Sequence, residues 1–235
     1  MPKFFEPFRR EFPVVVHEGI TINALYTNMS AYADAWVEKA EGILAESKLK
    51  VVGVDVEFSR AGFDQKADVL QLCVGQDCLV YHIACAVDEI SWEFKAFIRS
   101  WMYIRSWMYK FVGFDITSDT TMLRRSDLSI YNHIDIQRIW KDPDLMKYRR
   151  DGSVGKHGMK DLAGLLIDPS YFEMKGGMTN EDHQLWHRAP LSEKHLHYAA
   201  KDAYVTYELY RKLDFYERGR YKLIKKTQKS RLRKW

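Results

Sequence analysis

Apolar residues along this chain alternate in some stretches and recur at helical spacing in others, and the two patterns follow one another. Val14 to His17 and Ile20 to Tyr26 are β-rich runs separated by Glu18-Gly19, which predicts a hairpin. From Met29 to Ser47 the spacing changes. Tyr32, Ala35, Trp36, Ala40, Ile43 and Leu44 recur at steps of three and four, with Asp34, Glu38, Lys39 and Glu41 between them, so this segment is predicted to be a helix. Lys50 to Phe58 is the first strongly buried strand. Val69 to Val74 and Leu79 to Ile83 follow as strands, joined through Gly75-Gln76-Asp77-Cys78. A helix is expected over Val87 to Phe97, a strand over Phe111 to Ile116, a short helix over Ser118 to Arg125 and a strand over Asn132 to Ile136. Asp151 to Gly155 has loop composition. His157 to Leu166 and Ser192 to Leu213 have helical spacing, the second with Pro190 upstream and Ser192 as its N-cap. Strands alternating with helices predict an α/β fold built on one sheet.

Two segments stand outside this pattern. Ile98-Arg-Ser-Trp-Met-Tyr103 is repeated without change as Ile104-Arg-Ser-Trp-Met-Tyr109. Six residues in two copies are too few for a repeat fold, so this is a duplication in a connector. Its aromatic residues are candidates for an exposed patch. Arg218 to Trp235 carries nine Lys or Arg and no acid, which suits either a solvated, frayed tail or an electrostatic arm for phosphates or nuclear import.

Composition narrows the class. With 46% hydrophobic and 29% charged residues among 235, the chain has the balance of one globular domain with short appendages. A formal net charge of +4 does not by itself point to a polyanionic partner. No apolar run is long enough for a bilayer, and Met1 to Phe12 carries Lys3, Glu6, Arg9, Arg10 and Glu11 where a signal peptide needs apolar residues. The expected location is therefore nucleus or cytoplasm, not secreted, with no membrane partner. Cys73, Cys78 and Cys85 are odd in number and lack zinc spacing, so free thiols are expected.

The candidate chemistry lies in carboxylates. Strand alternation puts Asp55 and Glu57 on one face of the Lys50 to Phe58 strand, together with Gly53, while Val52, Val54, Val56 and Phe58 take the other. Two acids on an apolar strand call for a cation, and a hard divalent metal with oxygen ligands suits them. Alone, Asp-x-Glu reads better as a strand end facing water. Asp119 follows the Phe111 to Ile116 strand at the start of a helix that Thr117 or Ser118 can cap, and alone it reads better as a first-turn acid on the helix dipole. Asp202 differs, because it sits inside a helix whose buried stripe is Leu196, Ala199, Ala203, Tyr207 and Tyr210. Tyr198 lies one turn before it on the same face.

Taken together, Val52-Gly-Val-Asp-Val-Glu-Phe58, Phe111-Val-Gly-Phe-Asp-Ile-Thr-Ser-Asp119 with Leu123, and Tyr198-Ala-Ala-Lys-Asp-Ala203 resemble the three motifs of DEDD-superfamily (DnaQ-like) 3′-5′ exonucleases. They look most like the tyrosine-bearing, Werner-syndrome-type branch. The resemblance spans Lys50 to Leu213 and includes Val69-Leu-Gln-Leu-Cys73, Gly158-Met-Lys-Asp-Leu162 and Trp186. It implies a ribonuclease-H-like mixed β-sheet flanked by α-helices. It also implies two Mg²⁺ or Mn²⁺ ions, roughly 3.5–4 Å apart, held by Asp55, Glu57, Asp119 and Asp202. The substrate would be the 3′ end of DNA or RNA, single-stranded or recessed, with release of nucleoside 5′-monophosphates. Residues 1–28 then form a hairpin lead-in packed on the domain, 29–213 the exonuclease domain and 214–235 a basic tail. Relatives include both monomers and ring-shaped oligomers, so a homo-oligomer is one of the states allowed.

The resemblance gives the orientation of the attacking water to Tyr198. His197, five residues before Asp202, has the spacing of the histidine-bearing branch and is the rival. Four helical steps return close to the starting face and five overshoot it, which favours Tyr198. Val56, through its amide, and Phe58, by stacking, are candidates for contact with the terminal nucleotide, with plain packing as the alternative. Asp115 departs from the family pattern; on a strand it shares a face with Gly113 and stands as an extra acid near the metals or points elsewhere. His17, His82, His133, His157, His183, His187 and His195 form no ligand cluster by spacing. A catalytically silent module that binds nucleic acid or protein on the same fold is the alternative function, opposed by the intact set of acids.

Overall fold

The computed structural model describes residues 5–59, 65–99, 109–139, 158–174 and 177–232. Most of the duplicated hexapeptide, the 151–155 loop and His157 lie outside them. Among the described residues the strands are β1 (Arg9–His17), β2 (Ile20–Thr27), β3 (Val51–Glu57), β4 (Val69–Val74), β5 (Asp77–Tyr81), β6 (Lys110–Gly113) and β7 (His133–Asp135). The helices are α1 (Ser30–Glu46), α2 (Trp92–Arg99), α3 (Ile116–Arg125), α4 (Ile136–Ile139), α5 (Met159–Leu166) and α6 (Glu193–Leu232). All seven strands form one mixed sheet in the order β1-β2-β5-β4-β3-β6-β7. β2 with β5, β3 with β6 and β6 with β7 pair in parallel, and the other neighbours are antiparallel.

The period-two pattern of β3 divides its side chains between two cores. Val52, Val54 and Val56 pack with Ala33, Trp36, Val37, Ala40 and Leu44 of α1, Phe94 and Phe97 of α2, and Ile116 and Leu123 of α3. Val51 lies in the opposite core with Val69 and Cys73 of β4, Cys78 and Val80 of β5, and Leu196, Ala199, Ala200 and Ala203 of α6. The sheet is therefore covered on both faces, and its central strands read as near-continuous apolar runs for that reason. Cys73, Cys78 and Cys85 are buried, and none of them forms a disulfide among the described residues.

Several elements differ from the local pattern. The N-terminal hairpin joins the sheet: β2 pairs with β5 from Asn23↔Asp77 to Thr27↔Tyr81, so β1 and β2 are sheet strands. β1 begins at Arg9, before the apolar alternation starts, because strand pairing with β2 carries the chain from there. Val14 and Val16 bury their side chains in the α6-facing core. α2 starts at Trp92 instead of Val87, after a short 3₁₀ turn over Ile83–Cys85.

β6 ends at Gly113, three residues short of the expected strand end. Asp115 takes a left-handed conformation (φ 62°) at the N-cap of α3, so it belongs to no strand face and neither Thr117 nor Ser118 is the cap. Gly113 permits the turn, since a Cβ there would lie 2.9 Å from the Ile116 Cβ. At the other end of the chain, α6 continues past the expected helix end at Leu213 to Leu232. Beyond Leu213 no proline interrupts helix-forming Arg, Lys, Glu and Leu, and helix propensity carries on where the apolar stripe ends.

α6 touches β3 backbone to backbone. A Cβ at Gly53 would stand 2.3 Å from the Ala203 carbonyl oxygen and 2.8 Å from the Tyr207 Cβ. The Thr206 hydroxyl donates to the Ala203 carbonyl at 2.8 Å and lies 3.4 Å from the Val54 carbonyl, tying the two elements further. Substituting Gly53→Ala forces α6 off the strand and is expected to cost about 1–3 kcal/mol. Thermal unfolding checks it, and an unchanged Tm would show that α6 does not press on β3 at this point.

Candidate active site

The site begins where β3 outruns its neighbour. β6 pairs with β3 only from Val51↔Lys110 to Gly53↔Val112, and two residues later Asp55 lies beyond the end of that pairing. There, at the carboxyl ends of two parallel strands, the chain leaving β6 turns away into α3. Asp55 and Glu57 project from β3 on the Gly53 side, and both are partly exposed. α6 crosses that same side. Because Ala203 lies against Gly53, the preceding residue, Asp202, arrives beside the two acids, and only 2% of it is exposed. Carboxylate oxygens of Asp55, Glu57 and Asp202 lie within 4.8 Å of one another.

Asp119 enters from α3 and flanks this group; it is not one of the three converging carboxylates. It is 7% exposed, and its Oδ2 is buried without a hydrogen bond. Burial pushes its carboxyl well above the usual carboxylate range, and the nearby charges of Asp55, Asp115 and Asp135 push it further. Asp115, flagged by the sequence as an extra acid, is exposed, and the Ser118 hydroxyl donates to its Oδ2 at 3.2 Å. Asp135, at the end of β7, was not singled out by sequence reasoning. It is 8% exposed, and its Oδ1 accepts from the backbone amides of Asp115 at 3.3 Å and Gln137 at 3.0 Å. Nothing in His133-Ile-Asp135 distinguishes it from an ordinary strand end, because its partner amide is twenty residues away.

Tyr198 and His197 part company on α6. The Tyr198 hydroxyl hydrogen-bonds Asp202, and burial raises its phenol above the ordinary tyrosine value, helped by the charges of Asp202, Glu57 and Asp55. The phenol is therefore neutral, a donor facing carboxylates. His183 and Trp186 pack around its ring, with centroids 5.5 Å and 6.1 Å away. His197 instead stacks on Phe12 at 5.8 Å, and its Nε2 lies 3.6 Å from Glu193 Oε2.

The other candidates are placed as follows. Val56 buries its side chain in the core on the far face of β3, and Phe58, just past the strand end, is partly buried. Asp68 Oδ2 accepts the Ser59 amide at 2.6 Å, and the Ser59 hydroxyl lies 2.9 Å from His187 Nδ1, so the segment after Phe58 is held against the 187 loop. His187 and His183 thus serve different neighbours, and among the described residues they make no metal group.

Chemically, the arrangement suits divalent cations. Oxygen donors alone converge, which is the ligand set that hard dications select. A buried carboxylate without a hydrogen bond costs the fold on the order of 1–3 kcal/mol or more, and a cation would satisfy Asp119 Oδ2 where the protein does not.

Three comparisons bear on this geometry. The family described as 3′-5′ exonuclease matches residues 31–215, and no curated protein sequence matches the chain. Among solved structures, the EXO domain of Aedes aegypti Nibbler is similar at 18% identity over 74% of this chain and 82% of that one, with a TM-score of 0.52. The Trypanosoma brucei RNase D:GMP complex is similar at 15% identity over 81% and 56%, with a TM-score of 0.55. The catalytic core of Trypanosoma brucei RRP6 matches at 13% identity over 85% and 49%, with a TM-score of 0.56. This chain thus spans about half the length of the two trypanosome structures. These likenesses give the ribonuclease-H-like exonuclease fold, with its mixed sheet and flanking helices. Since the family match takes in β3, α3 and the Tyr198–Asp202 turn of α6, the chain belongs to the 3′-5′ exonuclease domain family.

Proposed function

We propose that this protein is a metal-dependent 3′→5′ exonuclease in which Asp55, Glu57, Asp119 and Asp202 hold two divalent cations, Mg²⁺ or Mn²⁺. The observation that carries the proposal is the convergence of three carboxylates within 4.8 Å, with the buried Asp119 beside them. When bound, the cations would supply the charge that makes a water nucleophilic at the terminal phosphodiester and that receives the departing 3′ oxygen. The remaining work falls to the chain. Tyr198, a neutral phenol anchored on Asp202, positions the attacking water, as in the tyrosine-bearing branch that the motifs resemble. The Val56 amide and Phe58 hold the terminal nucleotide. The product is a nucleoside 5′-monophosphate, the class to which the GMP of the RNase D complex belongs. The substrate is a single-stranded or recessed 3′ end of RNA or DNA. A panel of 3′-labelled RNA, single-stranded DNA and recessed duplexes with Mg²⁺ or Mn²⁺ tests this reading, and full-length oligonucleotide throughout would end it.

Asp55→Ala and Asp202→Ala should each reduce turnover by more than the roughly 10–100-fold that loss of an outer-shell partner costs, with a folded circular-dichroism spectrum retained. Tyr198→Phe should lower kcat by roughly 10²–10⁴-fold with little change in KM, while His197→Ala stays near wild type. The reverse ranking would hand the role to His197.

Asp119 also predicts a pH-dependent stability. Its folded carboxyl titrates above the unfolded one, so protons favour the folded state and metal-free stability is lost as pH rises from about 4. Asp119→Asn is expected to raise the Tm of the metal-free protein at neutral pH and to lose that advantage below about pH 4, where the wild-type group is protonated folded and unfolded alike. Added Mn²⁺ should stabilise wild type more than the variant. Scanning calorimetry against pH, with and without metal, measures both.

A further inference from the structure

Residues 182–191, which run from the 3₁₀ turn Asp182–Gln184 toward α6, carry His183 and Trp186, the two rings that pack on Tyr198. Trp186 is fully buried, and its ring meets His195 of α6 edge-on at 4.8 Å. His195 Nε2 lies 3.0 Å from the Asp182 carbonyl oxygen, which ties the start of the segment to the helix. The other end hangs from the sheet. The Leu191 amide donates to the Tyr26 hydroxyl at 2.9 Å, and that hydroxyl lies 2.8 Å from His82 Nδ1. Tyr26 is in β2 and His82 directly follows β5; the His82 amide donates to the Thr27 carbonyl at 2.9 Å, which holds the two residues together. Because the phenol oxygen accepts from Leu191, its own proton is directed to Nδ1, and the imidazole carries its proton on Nε2. Nε2 lies 3.3 Å from Cys85 Sγ, which donates to the His187 carbonyl at 3.6 Å, and the imidazole also hydrogen-bonds the Trp186 backbone. Tyr26, His82 and Cys85 are all buried, and burial pushes the His82 imidazole down to about 4, so it is uncharged at neutral pH.

We propose that Tyr26 and His82 are positioning residues for the reaction: through the Leu191 amide and the backbone at 186 and 187 they hold Trp186 against Tyr198, and so keep the Tyr198 hydroxyl on Asp202. The inference rests on the exonuclease reading above and adds to it two residues that touch neither metal nor substrate. α6 fixes only the Cα and Cβ of Tyr198; the direction of its ring is set by what packs on it, His183 and Trp186. A buried polar network whose members are satisfied is rigid, and a displacement of about 1 Å caused far from the chemistry can cost roughly 10²-fold in rate.

Tyr26→Phe deletes one oxygen and keeps the ring, which packs on Phe8 at 4.5 Å. The full chain is assayed with Mn²⁺ on a 3′-labelled oligonucleotide, at a temperature where circular dichroism shows the variant folded, and Mn²⁺ affinity is measured by calorimetry. Expected is a kcat lower by on the order of 10²-fold, with KM and Mn²⁺ affinity unchanged because the acids and the nucleotide contacts are intact. A supporting role alone would lower Tm and leave kcat as it is. In the Tyr198→Phe background, Tyr26→Phe should have little further effect on kcat, since the hydroxyl that it positions is already gone. The same fall in both backgrounds overturns the inference, as does an unchanged kcat in the folded single variant, and either leaves the exonuclease reading intact. His82→Phe repeats the comparison from the other member of the pair, and loss of folding in both variants also overturns the inference by making the pair a core support. Absence of cleavage by the wild-type protein overturns both readings together.

Discussion

Contact between the backbone of α6 and the central strand at Gly53 is the constraint on which the site depends. A helix packed on a sheet through ordinary side chains stands off by their length. Here the missing Cβ brings the Ala203 carbonyl within 2.3 Å of where one would be. Alanines at 199, 200 and 203 keep the facing surface low along the same stripe. That approach delivers Asp202, from some 145 residues later in the chain, to the side of Asp55 and Glu57. The adjoining turn of the same helix brings Tyr198 to Asp202.

The second constraint is electrostatic. Burial and the like charges gathered around it disfavour ionisation of Asp119, whose carboxyl is raised for both reasons. The fold tolerates this because the strain is local and the two cores around it are extensive, with Val51, Val52 and Val54 wholly buried on either side of β3. Cations bound there would relieve the repulsion that weakens the metal-free site. The Tyr198 phenol, held neutral by the same field, remains able to donate a hydrogen bond among carboxylates. Stability and function thus draw on the same charges with opposite sign.

Much of this was legible locally. The alternation over Val51 to Glu57 placed Asp55 and Glu57 on the Gly53 side, and the helical spacing around Asp202 gave the buried stripe and the shared face with Tyr198. Asp115 was misplaced because an apolar run followed by Phe114 looks like continuing strand, whereas the chain turns at Gly113 and passes through a left-handed residue. Asp135 escaped notice because its importance comes from the amide of Asp115, which it meets only through the parallel pairing of β6 with β7.

Periodicity along the chain therefore determined which residues are strand, helix and core, and which acids occur at motif spacing, since those properties depend on neighbours within a few positions. Only the tertiary structure decided that the N-terminal hairpin joins the sheet through β2 and β5 and that His197 turns to Phe12 while Tyr198 meets Asp202. It likewise decided that three carboxylates meet with Asp119 beside them. Parallel pairing and the approach of a helix to a strand join segments far apart in sequence, and no local pattern encodes the distance between them.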